Sequence, residues 1–230
     1  MGDLSGNAPL TVISPHLDDG VFGCGQLLAT HPGSVVVTAL AGRPRVYPPL
    51  TKWDAAAGFQ PGDDVVALRR EEDRAALRHL AARPVWLEFC DAQYDPPPAV
   101  EVLAAALAEA IGAAGLDTVV LPLGLFHSDH ALTHAAALQV RQQAPHLGWW
   151  AYEEPNYRRV DGLLDERLEA LRQAGIAAAP AGRSTSAGAA AKRRAAREYR
   201  SQLRALTAPG MPGYADVFAP EEYWRLDGAS

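Results

Sequence analysis

From Leu10 to Glu153 the chain alternates short β-branched runs with stretches whose apolar positions recur at spacings of three and four. That alternation is the signature of βαβ units, and so of a mostly parallel α/β sheet with helices on both faces. Leu10–Ser14 reads as the first strand and Gly20–His31 as the helix after it, with Val21, Cys24 and Leu28 on one face. Ser34–Leu40 (Ser-Val-Val-Val-Thr-Ala-Leu) is apolar enough to be a strand buried on both sides. Ala41 to Gly62 carries Pro44, Pro48, Pro49 and Pro61 together with three glycines, and reads as a loop. Asp63 or Asp64 can cap a long helix running to about Ala82, Pro84–Phe89 is a third strand, and Pro97-Pro98 starts another helix. Asp117–Leu123, the helix Ser128–Gln143 and the strand Trp149–Glu153 complete the series.

Beyond Asp161 the pattern weakens. Leu163–Gln173 is helical in spacing, Ala174–Ala190 is an Ala-, Gly-, Pro- and Ser-rich loop, and Ala191–Leu206 is a basic helix carrying Lys192, Arg193, Arg194, Arg197, Arg200 and Arg204. We therefore expect one domain over residues 1–230, with a core of about 8–155 and a C-terminal helical extension of about 156–230. The basic helix is expected to be solvated or to form a contact between copies of the chain.

Composition narrows the class. The chain has 230 residues, 48% of them hydrophobic and 21% charged, the balance of an ordinary globular enzyme. A net charge of -6 gives nucleic acid no electrostatic attraction. Two cysteines, Cys24 and Cys90, do not make a disulfide framework. Met1–Pro9 lacks a basic start and an apolar h-region, and no apolar run is long enough for a membrane span, so a cytoplasmic protein is expected.

The chemistry concentrates at two strand-to-helix junctions. Ser14-Pro15-His16-Leu17-Asp18-Asp19 follows the first strand; His127-Ser128-Asp129-His130, with His134 beyond it, follows the fourth. In open α/β sheets ligands bind at that edge. An aspartate after a strand is commonly just a helix cap. Here, however, four of the seven histidines join the acids at one edge, and imidazole with carboxylate suits a divalent metal of the zinc type. Three protein ligands are the usual catalytic set: His16, one of the two aspartates and one histidine of the second cluster. The remaining aspartate is then placed to act as a general base on water, and a non-ligating histidine to stabilise an oxyanion or protonate a leaving amine. His134, two turns into its helix, is expected to be a core or supporting histidine.

These residues resemble the LmbE/PIG-L family of zinc-dependent de-N-acetylases, which remove an acyl group from amino sugars such as N-acetylglucosaminyl-phosphatidylinositol or from mycothiol and bacillithiol precursors. The element order from Leu10 to Glu153 is similar to that family's Rossmann-like fold. The resemblance implies His16, Asp19 and His130 as ligands of one Zn2+ per chain, Asp18 as general base, His127 at the oxyanion or leaving nitrogen, and Asp129 as the group orienting His127. It also implies a small-molecule N-acyl amino-sugar substrate, with Arg69, Asp91, Trp53 and Tyr94 as substrate contacts; Glu72 and Asp73 lie in the same region. Trp53-Asp54 with Gly58-Phe59 looks like a feature of one bacterial subgroup, in which Trp53, Tyr47 and Phe59 could stack on a sugar. Leu125 stands where the mycothiol-type enzymes carry a tyrosine, Gly20 where many members have glutamate or alanine, and Tyr152-Glu153-Glu154-Pro155-Asn156-Tyr157 is similar to a family stretch in another register.

Two alternatives share this site. A His₂Asp set with an open position also suits Fe2+. The same residues could serve a hydratase, or an amidase acting on a non-sugar molecule. A dinucleotide-binding reading fails, because no Gly-x-Gly-x-x-Gly follows the first strand.

Overall fold

Valine and isoleucine fill both faces of the central strands, and the computed structural model shows why. It describes residues 4, 6–183, 186–208 and 213–228. The first strand, β1 (Thr11–Ser14), leads into α1 (Asp19–Thr30), then β2 (Val35–Thr38), α2 (Lys52–Ala57), α3 (Val65–Arg78) and β3 (Arg83–Trp86). The chain continues through α4 (Val100–Ala114), β4 (Thr118–Pro122), α5 (Ser128–Gln143) and β5 (Gly148–Tyr152). It ends with α6 (Leu163–Gln173), β6 (Ile176–Arg183), α7 (Ala189–Ala196), α8 (Arg200–Leu206), a single 3-10 turn at Asp216–Phe218 and β7 (Glu222–Gly228).

The seven strands form one sheet in the order β3-β2-β1-β4-β5-β7-β6. β1 to β5 run parallel; β7 pairs antiparallel with β5, and β6 antiparallel with β7. Period-2 alternation divides the core into two layers. Val12, Val36, Val120 and Trp150 pack with α1, α3 and α7, while Ile13, Val35, Val37, Val119 and Leu121 pack with α4 and α5. Strand order reverses between β1 and β4, so the loops leaving these two neighbours open a crevice at the carboxyl edge of the sheet.

The C-terminal third departs from the sequence-based expectation. The stretch expected as a loop from Ala174 to Ala190 contributes β6, and β7 was not visible in the pattern at all. Alanine, glycine and proline give β6 little intrinsic preference for extension; it exists because β7 supplies its ladder, and Pro180 is tolerated on a strand at the sheet's edge. Residues 184 and 185, within that expected loop, lie outside the described residues. The expected single helix Ala191–Leu206 is two helices, α7 and α8, parted at Arg197–Tyr199. The extension is therefore not simply helical. Within the expected loop Ala41–Gly62 sits α2, capped by Thr51 Oγ1, which accepts the Asp54 N–H at 3.0 Å, and closed by Gly58 at φ 94°.

Lys192 is also not solvated. It is 3% exposed, and its Nζ lies 2.9 Å from Glu221 Oε1 and donates to the Phe22 carbonyl at 2.7 Å. Glu221 in turn accepts the N–H of Gln26 at 2.7 Å and of Leu27 at 3.2 Å. In an unbroken helix the Phe22 carbonyl and the Gln26 amide would bond to each other. Here α1 is kinked at Cys24 (φ -133°, ψ 15°), and the Lys192–Glu221 pair takes up both groups. Gly23, beside the kink, lets the Tyr152 ring pack against the helix: a Cβ there would stand 2.3 Å from that ring. Among the described residues no helix is long and apolar enough to cross a membrane.

Candidate functional site

The loop after β1 is folded back by Ser14, whose hydroxyl donates to the His16 carbonyl and accepts the Gly20 N–H at 2.7 Å. This presents three side chains to the crevice. Asp18 occupies the N-cap position of α1 but makes no side-chain capping bond, so its carboxylate is not used as a cap. Asp19 turns inward: its Oδ2 accepts the His16 N–H at 3.0 Å and lies 3.2 Å from His16 Nδ1.

The loop after β4 arrives through Gly124 and Phe126, both with positive φ (77° and 59°). His127 is the N-cap of α5, and its Nδ1 accepts the Asp129 N–H at 3.2 Å. Accepting at Nδ1 leaves the proton of the neutral ring on Nε2, available for donation. One turn on, His130 Nε2 lies 3.1 Å from the same Asp19 Oδ2 that faces His16. The ring centroids of His16, His127 and His130 stand 5.3–5.5 Å apart.

His16, Asp19 and His130 each offer a ligand atom within 4.8 Å of the others, and so do His16, His127 and Asp129. Two imidazole nitrogens converging on one carboxylate oxygen are a donor set suited to zinc. The charge distribution fits a cation as well. Burial alone would lower the pKa of His16, but Asp91, Asp129 and Asp19 outweigh it and hold the imidazole well above its ordinary value. For His130 burial is again overcome, by Asp19 and Glu154, to give about 9. Asp19 stays well below the usual carboxylate range despite its burial, because His130 and His16 face it. Asp18 is pushed up to about 7 by burial and by the charge of Asp19, against the pull of His16. Burial, with His16 and His130 beside it, lowers His127 and favours the neutral ring.

The Asp129 carboxylate bonds elsewhere than the resemblance implied. Its Oδ2 lies 3.0 Å from His16 Nε2 and accepts the Ala92 N–H at 3.1 Å; its link to His127 is through its own backbone amide. It thus holds the back of His16, as carboxylates behind metal-ligating histidines do. Glu154 does the same for His130. It is 1% exposed, its Oε1 accepts the N–H groups of Gly124 (2.7 Å) and Leu125 (3.0 Å), and it lies 3.2 Å from His130 Nδ1. Sequence reasoning did not single Glu154 out. The available signal was its place, an acid immediately after β5 at the same carboxyl edge.

Around these groups lies a cavity of about 600 Å³. Trp53, Arg69, Asp91 and Tyr94 all line it. Arg69 is buried and bonded to Asp54 Oδ1 at 2.7 Å and to the Tyr94 hydroxyl at 3.1 Å. Trp53 Nε1 donates to Gln202 at 2.9 Å, and Asp91 accepts from the backbone and side chain of Gln93. Other expected neighbours are not part of the lining. Glu72 binds Ser201 and Asp73 binds Trp86 and Tyr199, so both anchor the C-terminal segment. Tyr47 and Phe59 belong to a small hydrophobic cluster beside α2, and His134 donates to the Pro122 carbonyl at 2.8 Å.

Residues 11–141 match the model of the PIG-L family, described as GlcNAc-PI de-N-acetylase. A curated relative, the 2'-N-acetylparomamine deacetylase of Streptomyces fradiae, is 38% identical over 149 residues, 54% of this chain and 49% of that protein. The matched segment thus spans about half the length of that relative. Among solved structures, a deacetylase triple mutant from the teicoplanin biosynthetic pathway superposes with a TM-score of 0.80 at 25% identity, covering 97% of this chain and 99% of that one. The zinc-inhibited form of a teicoplanin deacetylase gives 0.78 at 22% identity with the same coverage, a likeness of fold.

Proposed function

Because this chain belongs to the PIG-L family of GlcNAc-PI de-N-acetylases, we propose that it is a zinc-dependent hydrolase that removes the N-acetyl group of an amino sugar. The observation that carries this reading is the convergence of His16 Nδ1 and His130 Nε2 on one oxygen of Asp19, with the carboxylate of Asp18 next to it and uncommitted to capping. His16, Asp19 and His130 would hold the ion, which supplies Lewis acidity to polarise the acetamide carbonyl and acidify a water. Ferrous iron suits the same donors.

The chain's own groups divide the rest. Asp18 takes a proton from the attacking water as its oxygen bonds to the carbonyl carbon. His127, neutral and protonated on Nε2, donates to the developing oxyanion. The C–N bond then breaks as the amine nitrogen takes the proton that Asp18 received from the water, releasing acetate and a free amine. Asp129 and Glu154 fix the rings of His16 and His130. Asp91, Arg69, Tyr94 and Trp53 form the sugar side of the cavity, and an N-acetylglucosamine unit or an N-acetylated aminoglycoside of the paromamine kind suits it.

The test is stoichiometric. Purified protein should contain about one zinc per chain and release acetate and amine in equal amounts from N-acetylparomamine or an N-acetylglucosaminide. Activity should vanish on chelation and return with zinc. Turnover surviving complete metal removal would sink the mechanism.

A further inference from the structure

The peptide unit between Gly124 and Leu125 is held from both sides. Its N–H donates to Glu154 Oε1 at 3.0 Å, and its carbonyl accepts from Arg167 Nη2 at 2.7 Å. The chain needs such partners here. The Leu123 N–H still reaches the Tyr152 carbonyl, at 3.0 Å, but the buried residues Gly124 and Leu125 have left the sheet. Gly124 stands at φ 77°, and a Cβ on it would meet the His134 Cβ at 2.7 Å, so only glycine fits. Glycine also leaves its peptide freer to rotate than any other residue. Rotating this unit would turn its carbonyl toward Glu154 and its N–H toward Arg167, setting acceptor against acceptor and donor against donor. The next turn of backbone belongs to His127, whose N–H donates to the Leu125 carbonyl at 2.7 Å.

Arg167 reaches this peptide from outside the βαβ core. It lies one turn before Leu171, the residue that α6 buries, and so on the same face of that helix. Its guanidinium is half-buried, and the charge of Glu154 favours it there against the cost of burial. Arg167 does not line the cavity, so its influence on chemistry can pass only through the loop that it holds.

We propose that Arg167 is a positioning residue: by fixing the Gly124–Leu125 peptide opposite Glu154, it sets the direction of the His127 imidazole. The role of that imidazole in turnover rests on the deacetylase reading above.

Arg167→Met removes the donor, Arg167→Gln puts in its place an amide that falls short of the carbonyl, and Arg167→Lys restores a cationic donor. One readout needs no turnover. In NMR spectra of nitrogen-labelled histidine rings, the zinc-loaded wild type should show His127 protonated on Nε2 alone, its signal identified by its loss in His127→Asn. Arg167→Met and Arg167→Gln should show the two tautomers averaging, with the other histidine signals and about one zinc per chain retained; Arg167→Lys should keep the wild-type pattern. The second readout is amine release from N-acetylparomamine and an N-acetylglucosaminide. In Arg167→Met kcat should fall on the order of 10- to 100-fold, the scale for a group displaced by about 1 Å, with KM within about twofold. In a His127→Ala background the same substitution should cost less than about twofold more, because nothing remains to be positioned.

Mixed tautomers already in the wild type, an unchanged His127 signal in Arg167→Met and Arg167→Gln, zinc loss from these variants, or a full additive loss on top of His127→Ala would each overturn the proposal. A disturbed His127 signal in variants of a protein that releases amine from neither substrate would overturn the deacetylase reading and leave the positioning role standing.

Discussion

Glu154 and Asp19 grip the two nitrogens of one imidazole: Glu154 Oε1 is 3.2 Å from His130 Nδ1, and Asp19 Oδ2 is 3.1 Å from His130 Nε2. The ring cannot turn without losing one of these contacts.

Glu154→Gln keeps an acceptor for the Gly124 and Leu125 amides but removes the charge behind His130. Zinc affinity should fall about 10- to 100-fold, the usual effect of losing such a partner. Competition with a chromophoric chelator measures this; unchanged affinity would mean that Glu154 only shapes the loop.

Asp18→Asn should cut kcat by about 10²- to 10⁴-fold while leaving the metal bound, the range for a lost general base. His130→Ala should lose metal and activity together. Elemental analysis of both variants decides the assignment. Metal loss from Asp18→Asn would mean that the roles of Asp18 and Asp19 are exchanged.

His134 should make stability fall in acid. Burial, reinforced by the charge of Arg167, lowers its pKa to about 4 from 6.5, against the favourable bond to Pro122. Between these values the unfolded chain binds more protons than the folded one, so stability is complete above pH 6.5 and lost as the pH falls toward 4. The difference is on the order of 3 kcal/mol at the acid limit. His134→Asn retains a donor for the Pro122 carbonyl and cannot titrate. Urea midpoints measured at several pH values across that window should be flatter for the variant; an equal slope would assign the effect elsewhere.

Glu221→Ala strands the Lys192 ammonium in the core. Stability should fall by about 3–5 kcal/mol, as for a buried pair that loses one partner. The double variant Lys192→Met, Glu221→Ala should recover part of that loss, which denaturant titration would read directly. A single variant within about 1 kcal/mol of wild type would mean that water reaches the pair.

The strand-to-helix junctions are legible in the sequence because their signal is local: Val12-Ile13 and Val119-Val120 extend the chain, and the polar clusters start where those runs stop. The shared edge follows from the parallel topology, so the meeting of the two clusters could be anticipated from connectivity, while the choice of Asp19 and His130 within them came from the family resemblance. What escaped is non-local. β6 is alanine-rich and exists through its pairing with β7, over registers such as Ala178 with Leu226. Lys192 sits in a run of arginines and is indistinguishable from them until Glu221 is placed opposite it. The partner of Asp129 was likewise hidden, since the family resemblance implied His127 whereas the carboxylate reaches across to His16.

The kink of α1 also sets an order of events in time. Asp18 and Asp19 leave the ribosome early, but the amides of Gln26 and Leu27 wait for Glu221, about 195 residues later in synthesis. Until that carboxylate is made, the amides at the bend of this helix have only water or misplaced partners to bond. The bend in α1 thus takes its final form only once Glu221 has been made.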